Sequence, residues 1–241
     1  MKMTKEELFI EELYKEAEEE LKEVYREQKE SRDDVLTQIA LVMLTYTVID
    51  GIMDIKKKDK DSIYKKLSIL IITKYKNISN KEVEVLNDIL ESTVKKTFEF
   101  YSYNFKLKDV KKIIEDNFKG KHFSERVWEN ENEVSKKLHS QIKNFLNGKI
   151  NVNQIKKDIE KTFNTSAYNA KRLVTTEVSR CQNESFRRLC EETNVKRVKR
   201  NAILDSKTCD DCYPLNGKIY ELKDMPQISH PMCRCFYEIV E

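Results

Sequence analysis

The chain has 241 residues, of which 36% are charged and 39% hydrophobic, with only 4 Gly and 3 Pro. That length can bury a sizeable core, and so few breakers among so many Lys, Glu, Leu and Ile imply a mostly helical protein. The 45 basic and 42 acidic side chains nearly cancel, leaving +3, so charge alone does not argue for a nucleic-acid binder. The strongest apolar run, Val35–Ile55, is interrupted by Gln38, Asp50 and Asp54. It reads as a buried helix and not a membrane span. No secretory signal is visible near the N-terminus, so the cysteines are expected to be made in a reducing compartment.

Taken in chain order, Thr4 with Glu7 forms a capping-box pattern, and a helix is expected from Lys5. Ile10, Tyr14, Ala17, Leu21 and Val24 follow at spacings of four, three, four and three. This is a narrow heptad seam on an otherwise Glu- and Lys-rich helix, suited to a partner helix or to a homo-oligomer. A second helix is expected from Asp33 or Asp34 to Asp54 and a third over 61–75. Ser79 with Glu82, another capping-box pattern, opens a fourth through Tyr101. Lys108–Phe118 is a shorter helix closed by Gly120. Ser124–Leu146 is helical and Gly148 stops it. A short helix over 151–163 precedes a long one capped at Asn164–Ser166 and running to Thr193. Beyond Asn194 the texture changes. Val195–Leu204 mixes β-branched and basic residues, Ile219–Tyr220 follows the turn pair Asn216-Gly217, and Phe236–Val240 alternates, so short strands are expected.

The most informative constellation is Cys209-Asp-Asp-Cys212, then His230-Pro-Met-Cys233-Arg-Cys235, with seventeen residues between Cys212 and His230. Two such pairs across a loop of about 15–20 residues suit a tetrahedral zinc knuckle. Thiolate and imidazole are the donors zinc prefers in a closed shell, and a small domain with few apolar residues gains folding energy from such a staple. Cys209, Cys212, His230 and Cys233 are the favoured set. Cys235 can substitute, since alternate strand residues share a face. A disulfide remains an alternative. A catalytic metal fits less well, since it needs an open position and a nearby acid or base; Glu177 or Asp205 would have to serve. The order of ligands differs from that of zinc deaminases, and no His-Glu-x-x-His occurs. Only three histidines exist, His122, His139 and His230, which leaves a His-dependent nuclease poorly supplied. Cys181 and Cys190 sit on an apolar helix stripe and read as core residues.

Two polar groups accompany the cluster. Arg172, Thr176, Arg180, Asn183 and Arg187 share one helix face, suited to docking on the following small domain or to binding a partner. Glu177 and Arg180 are three apart and suited to pairing. Asp205 is placed to order the loop entering the knuckle. Lys196, Arg197, Lys199 and Arg200 form a short basic run able to meet DNA phosphates, although a solvated edge explains them equally well. The fold class expected is α+β: a mostly helical N-terminal body and a small C-terminal domain of short strands stapled by the Cys/His cluster.

In order, Arg172-Leu-Val-Thr-Thr-Glu177, Arg180, Asn183, Asp205-Ser-Lys-Thr-Cys209-Asp-Asp-Cys212, Leu215-Asn-Gly217-Lys and His230-Pro-Met-Cys-Arg-Cys235 resemble the C-terminal domain of the phage Mu F-like minor head proteins, also called phage head morphogenesis proteins. Phe123–Trp128 through Gly148 resembles the region before it. The likeness covers roughly residues 120–241, with the knuckle at 195–241, and leaves 1–119 as a helical region expected to contact portal or capsid. The resemblance implies a non-enzymatic minor capsid protein, made in the host cytoplasm and carried in the virion or procapsid. Portal protein, capsid and scaffold proteins, and DNA in packaging or ejection, are its implied partners. It matches Cys209, Cys212, His230, Cys233 and Cys235 to the family's Cys/His positions, and Arg172, Glu177, Arg180 and Asp205 to polar positions of structural role.

Overall fold

A computed structural model describes residues 3–205, 208–228 and 230–240. Its architecture is α+β: six helices with a two-stranded and a three-stranded antiparallel sheet among the described residues. None of the helices is long and apolar enough to cross a membrane. Contacts divide the chain into two compact units. One comprises Met1–Leu21, Val85–Phe123 and Lys171–Glu241, and the other Lys22–Glu84 and Ser124–Ala170.

The first unit begins with α1 (Lys5–Glu20), whose capping box between Thr4 and Glu7 forms as the sequence suggests. Its apolar stripe is not left open. Ile10, Ala17 and Leu21 are 1–4% exposed, and Phe9 stacks on Phe100 at 4.2 Å. Val24, in the other unit, is also buried. The seam expected to receive a partner helix is therefore consumed within the chain. This unit also holds the end of α3 (Lys57–Phe100), α4 (Leu107–Glu115) and the second part of α6 (Val152–Glu192). The sheet follows: β3 (Arg197–Asn201) lies between β4 (Ile219–Glu221) and β5 (Phe236–Val240), both antiparallel to it. Gly217, at φ +79°, supplies the left-handed residue that lets Asn216-Gly217 turn into β4. Phe186, Cys190, Val198, Met225 and Tyr237 form the core under the sheet.

The second unit holds α2 (Lys22–Thr45), the first part of α3, α5 (Phe123–Leu146) and the first part of α6. Its core runs from Val35 and Ile39 through Ile71 and Ile78 to Ile142, Phe145 and Ile159. Four expected boundaries fail here, the first because the helix expected from Asp33 or Asp34 already begins at Lys22. The helix drawn to Asp54 stops at Thr45, and β1 (Thr47–Ile49) and β2 (Ile52–Asp54) form a hairpin instead. Asp50 and Gly51 both take positive φ, the geometry of a two-residue turn between β-branched strands. The helices expected over 61–75 and from Ser79 are one continuous helix, and so are those expected over 151–163 and from Asn164. Ser79, Glu82 and Ser166 are not caps at all; they are buried polar residues.

Candidate metal centre

The small module of the first unit brings the two sequence pairs together. Cys209 and Cys212 flank a tight turn in which the amides of Cys212 and Tyr213 both donate to the Cys209 carbonyl, at 3.0 and 3.1 Å. The turn is held from upstream. The Thr208 hydroxyl donates to the Ile203 carbonyl at 2.6 Å and accepts the Asp205 amide at 2.9 Å. Ser206 and Lys207 of this stretch lie outside the described residues. The second pair is bent by Met232, which takes φ +61° and points its amide at the Thr176 hydroxyl 3.1 Å away.

Between them, His230 Nε2 stands 3.1 Å from the sulfurs of both Cys209 and Cys212, and the Cys212 and Cys233 sulfurs are 3.7 Å apart. Two sulfurs at about 2.3 Å from one tetrahedral zinc stand about 3.8 Å apart. His230 Nδ1 lies 2.8 Å from the Pro231 carbonyl, so the tautomer that donates there leaves Nε2 as an acceptor facing the sulfurs. The donors fall into two groups, each close enough to hold an ion. One is Cys209, Cys212 and His230, and the other is Cys212, Cys233 and Cys235. Cys212 belongs to both. All six cysteines are free thiols.

The thiols perturb one another strongly. Hydrogen bonding from Cys235 lowers Cys233 to about 5, and burial pushes Cys212 up to about 11. Cys235, bonded to Cys233, is raised. The opposed shifts mark sulfurs packed close enough to compete for one proton, the proximity that a shared soft cation requires. Ala202, Cys212, Cys233 and Cys235 form the buried centre, with Cys209 and Ile228 packed beside it. The apolar part of this cluster is small, and a separate cluster around Phe186, Val198 and Tyr237 packs under the sheet.

The α6 face holds the module by its backbone. Thr176 takes the Met232 amide, Asn183 Nδ2 donates to the Cys235 carbonyl at 3.1 Å, and Arg187 Nη2 donates to the Met225 carbonyl at 2.6 Å. Arg172 is exposed and its carbonyl accepts the Thr176 hydroxyl at 2.7 Å. Arg180 lies beside the module, lining a cavity with Met225 and Ile228, but spends its hydrogen bonds elsewhere. It pairs with Glu177 at 2.7 Å and donates to the carbonyls of Ile113 and Ile114. Asp205 receives Arg234, from the knuckle itself, at 2.5 Å. Tyr14, whose phenol burial raises, donates to the Cys233 carbonyl at 3.4 Å. That contact joins positions 14 and 233, and nothing in the sequence signalled it.

The basic run is split by its own strand. Lys196 and Arg197 are exposed, and Lys199 pairs with Glu238 at 2.7 Å. Arg200 is only 2% exposed, with its guanidinium 3.7 Å from Cys212 Sγ. It belongs to the centre and not to a phosphate-facing surface. Strand alternation sends Val198 and Arg200 inward and Arg197 and Lys199 outward, which a count of neighbouring charges overlooks. Cys181 and Cys190 are fully buried, as their helix stripe suggests.

Residues 134–238 match the family model described as Phage Mu protein F like protein. The resemblance drawn from the motifs therefore holds over that segment, which carries α5 from Val134, α6, β3, β4, β5 as far as Glu238, and the whole Cys/His cluster. Neither the curated proteins nor the solved structures gave a match.

Proposed function

We propose that this protein is a structural component of a phage head, acting in head morphogenesis. Support comes first from the match of residues 134–238 to the phage Mu F-like model, and then from a site built for holding and not for turnover. The donors are inside a small module. The conspicuous acid and base of the neighbouring helix, Glu177 and Arg180, pair with each other. In this reading the chain enters the procapsid in few copies, contacts the portal and other capsid or scaffold proteins, and meets DNA during packaging or ejection.

The C-terminal module is stapled, in the same reading, by one structural zinc. Cys209, Cys212, His230 and Cys233 hold it, with Cys235 the alternative fifth donor. The observation that carries this is the convergence of His230 Nε2 on two sulfurs, with a third sulfur 3.7 Å beyond. When bound, the ion supplies folding energy that the small apolar cluster does not. Residues 1–119 are, in this reading, the region that contacts portal or capsid.

Mass spectrometry of purified heads tests the role. Peptides of this chain are expected in the heads at a small, fixed ratio to the major capsid protein. Recovery of the chain only from the soluble lysate, with heads free of it, contradicts the assignment.

A further inference from the structure

Arg200 is buried to 2% exposure in the middle of β3, yet among the described residues no carboxylate pairs with it. Its backbone is fully engaged: the amide donates to the Lys218 carbonyl at 2.8 Å and the carbonyl accepts the Gly217 amide at 2.7 Å. Its side chain has Cys212 Sγ 3.7 Å from Nη2, and its Nε has no partner. Cys235 is its other sulfur neighbour, and β5 carries Tyr237 directly opposite it. The Tyr237 hydroxyl donates elsewhere, to the Pro226 carbonyl at 2.8 Å. An unpaired buried cation is strongly unfavourable, so such groups are paired or absent. Among the described residues the cysteine sulfurs and the Tyr237 phenol are the ionisable acids beside it, and the phenol is held raised by burial, which leaves the sulfurs to carry the opposite charge.

We infer that Arg200 is the counter-charge of the metal centre and that it sets the ligand shell at three thiolates and one imidazole. This inference rests on the zinc reading above. The charges decide the count. A divalent ion with three thiolates and neutral His230 carries −1, which the guanidinium cancels. Two thiolates leave Arg200 uncompensated, and four thiolates leave the buried unit negative. Its contact to Cys212, the residue shared by both donor groups, places the positive charge on the sulfur common to any shell these residues build. Arg200 acts through the ligands and touches no ion, so it is a positioning residue.

The test uses the full chain. Wild-type protein loaded with cobalt(II) is expected to show sulfur-to-metal charge transfer of three thiolates and a ligand-field band of a three-sulfur, one-nitrogen site. A two-thiolate or four-thiolate spectrum overturns the inference, whatever the variants do. Arg200→Gln is expected to lower zinc affinity by roughly 10–100-fold in competition with a chromophoric chelator, and Arg200→Lys to retain most of it. A further readout separates this role from packing alone. Arg200→Gln should lower the melting temperature more with zinc bound than without it, because only the loaded shell carries the fixed charge that the guanidinium cancels. An equal loss in both forms, or unchanged zinc affinity, overturns the counter-charge role. Wild type that takes up neither zinc nor cobalt sinks the metal reading and this inference together. A zinc-loaded wild type indifferent to Arg200 sinks this inference alone.

Discussion

The side-chain amide of Asn183, on α6, donates to the carbonyl of Cys235, 52 residues later in the chain, at 3.1 Å. This bond ties the rigid helix to the start of β5, next to the donor cluster. Thr176 and Arg187 make equivalent contacts to Met232 and Met225 from the same helix face. Replacing Asn183 by Leu is expected to leave the buried Cys235 carbonyl without its donor, which costs about 1–3 kcal/mol. Hydrogen exchange should quicken over residues 230–240 and stay unchanged over α2 and α5. Uniform quickening across the chain contradicts a local latch.

Arg180 and Glu177 form a buried pair, 9% and 1% exposed in their side chains, and Arg180 also donates to the Ile113 carbonyl at 2.7 Å. Removing one partner of such a pair leaves a stranded charge, and Arg180→Met is expected to cost about 3–5 kcal/mol. The double change Arg180→Met with Glu177→Leu should recover a large part of that loss. Urea denaturation of wild type, of each single variant and of the double variant measures the coupling. Simple additivity contradicts the pairing as the source of the effect.

In the second unit, Glu82 and Glu131 are each 1% exposed. Ser166 donates to Glu131 at 2.6 Å and is itself donated to by Gln28 at 2.7 Å, while neither oxygen of Glu82 has a partner. Burial raises Glu131 to about 7, and burial together with Glu131 raises Glu82 well above the carboxylate range. A carboxyl raised by folding stabilises below its unfolded value and loses that contribution as pH climbs through the folded one. The stability of this unit is therefore expected to fall between pH 4.5 and about 7. Glu131→Gln should remove the Glu131 share of the fall, on the order of 3 kcal/mol at pH 8 and little at pH 4.5, leaving the part due to Glu82. Thermal melts at the two pH values decide it; equal effects at both contradict the burial of ionisable carboxyls.

Gly148 takes φ +71°, and a Cβ built there meets Ile52 Cγ2 at 2.9 Å. Gly120 takes φ +77° with nothing within 4 Å. Both alanine variants carry the left-handed penalty of about 1–2 kcal/mol, but Gly148→Ala must also displace the stiff β-branched Ile52. Gly148→Ala is expected to lower Tm more than Gly120→Ala, and equal shifts contradict the close approach.

The sequence made the centre legible because its information is local. Cys209 with Cys212 and His230 with Cys233 are short spacings, and their chemistry restricts what can join them. The start of α1, the stop at Gly148 and the short strands were readable for the same reason. The misreadings also have physical sources. The Asp50-Gly51 hairpin sits inside an apolar run whose helical periodicity outweighed the turn pair. Ser79 with Glu82 carries the letters of a cap, yet Ile78 beside them is buried and no breaker interrupts α3. The inward turn of Arg200 follows from strand alternation but was hidden among like charges. Tyr14 reaching Cys233, and segments from three parts of the chain composing one unit, depend on tertiary packing that no local pattern encodes.

Metal content of the full chain, purified under reducing conditions and measured by plasma mass spectrometry alongside amide exchange before and after chelation, reaches the core of the account most directly. One zinc per chain is expected, with chelation exposing residues 195–240 while α2 and α5 stay protected. A metal-free protein whose 195–240 region is already as protected as the helices contradicts it.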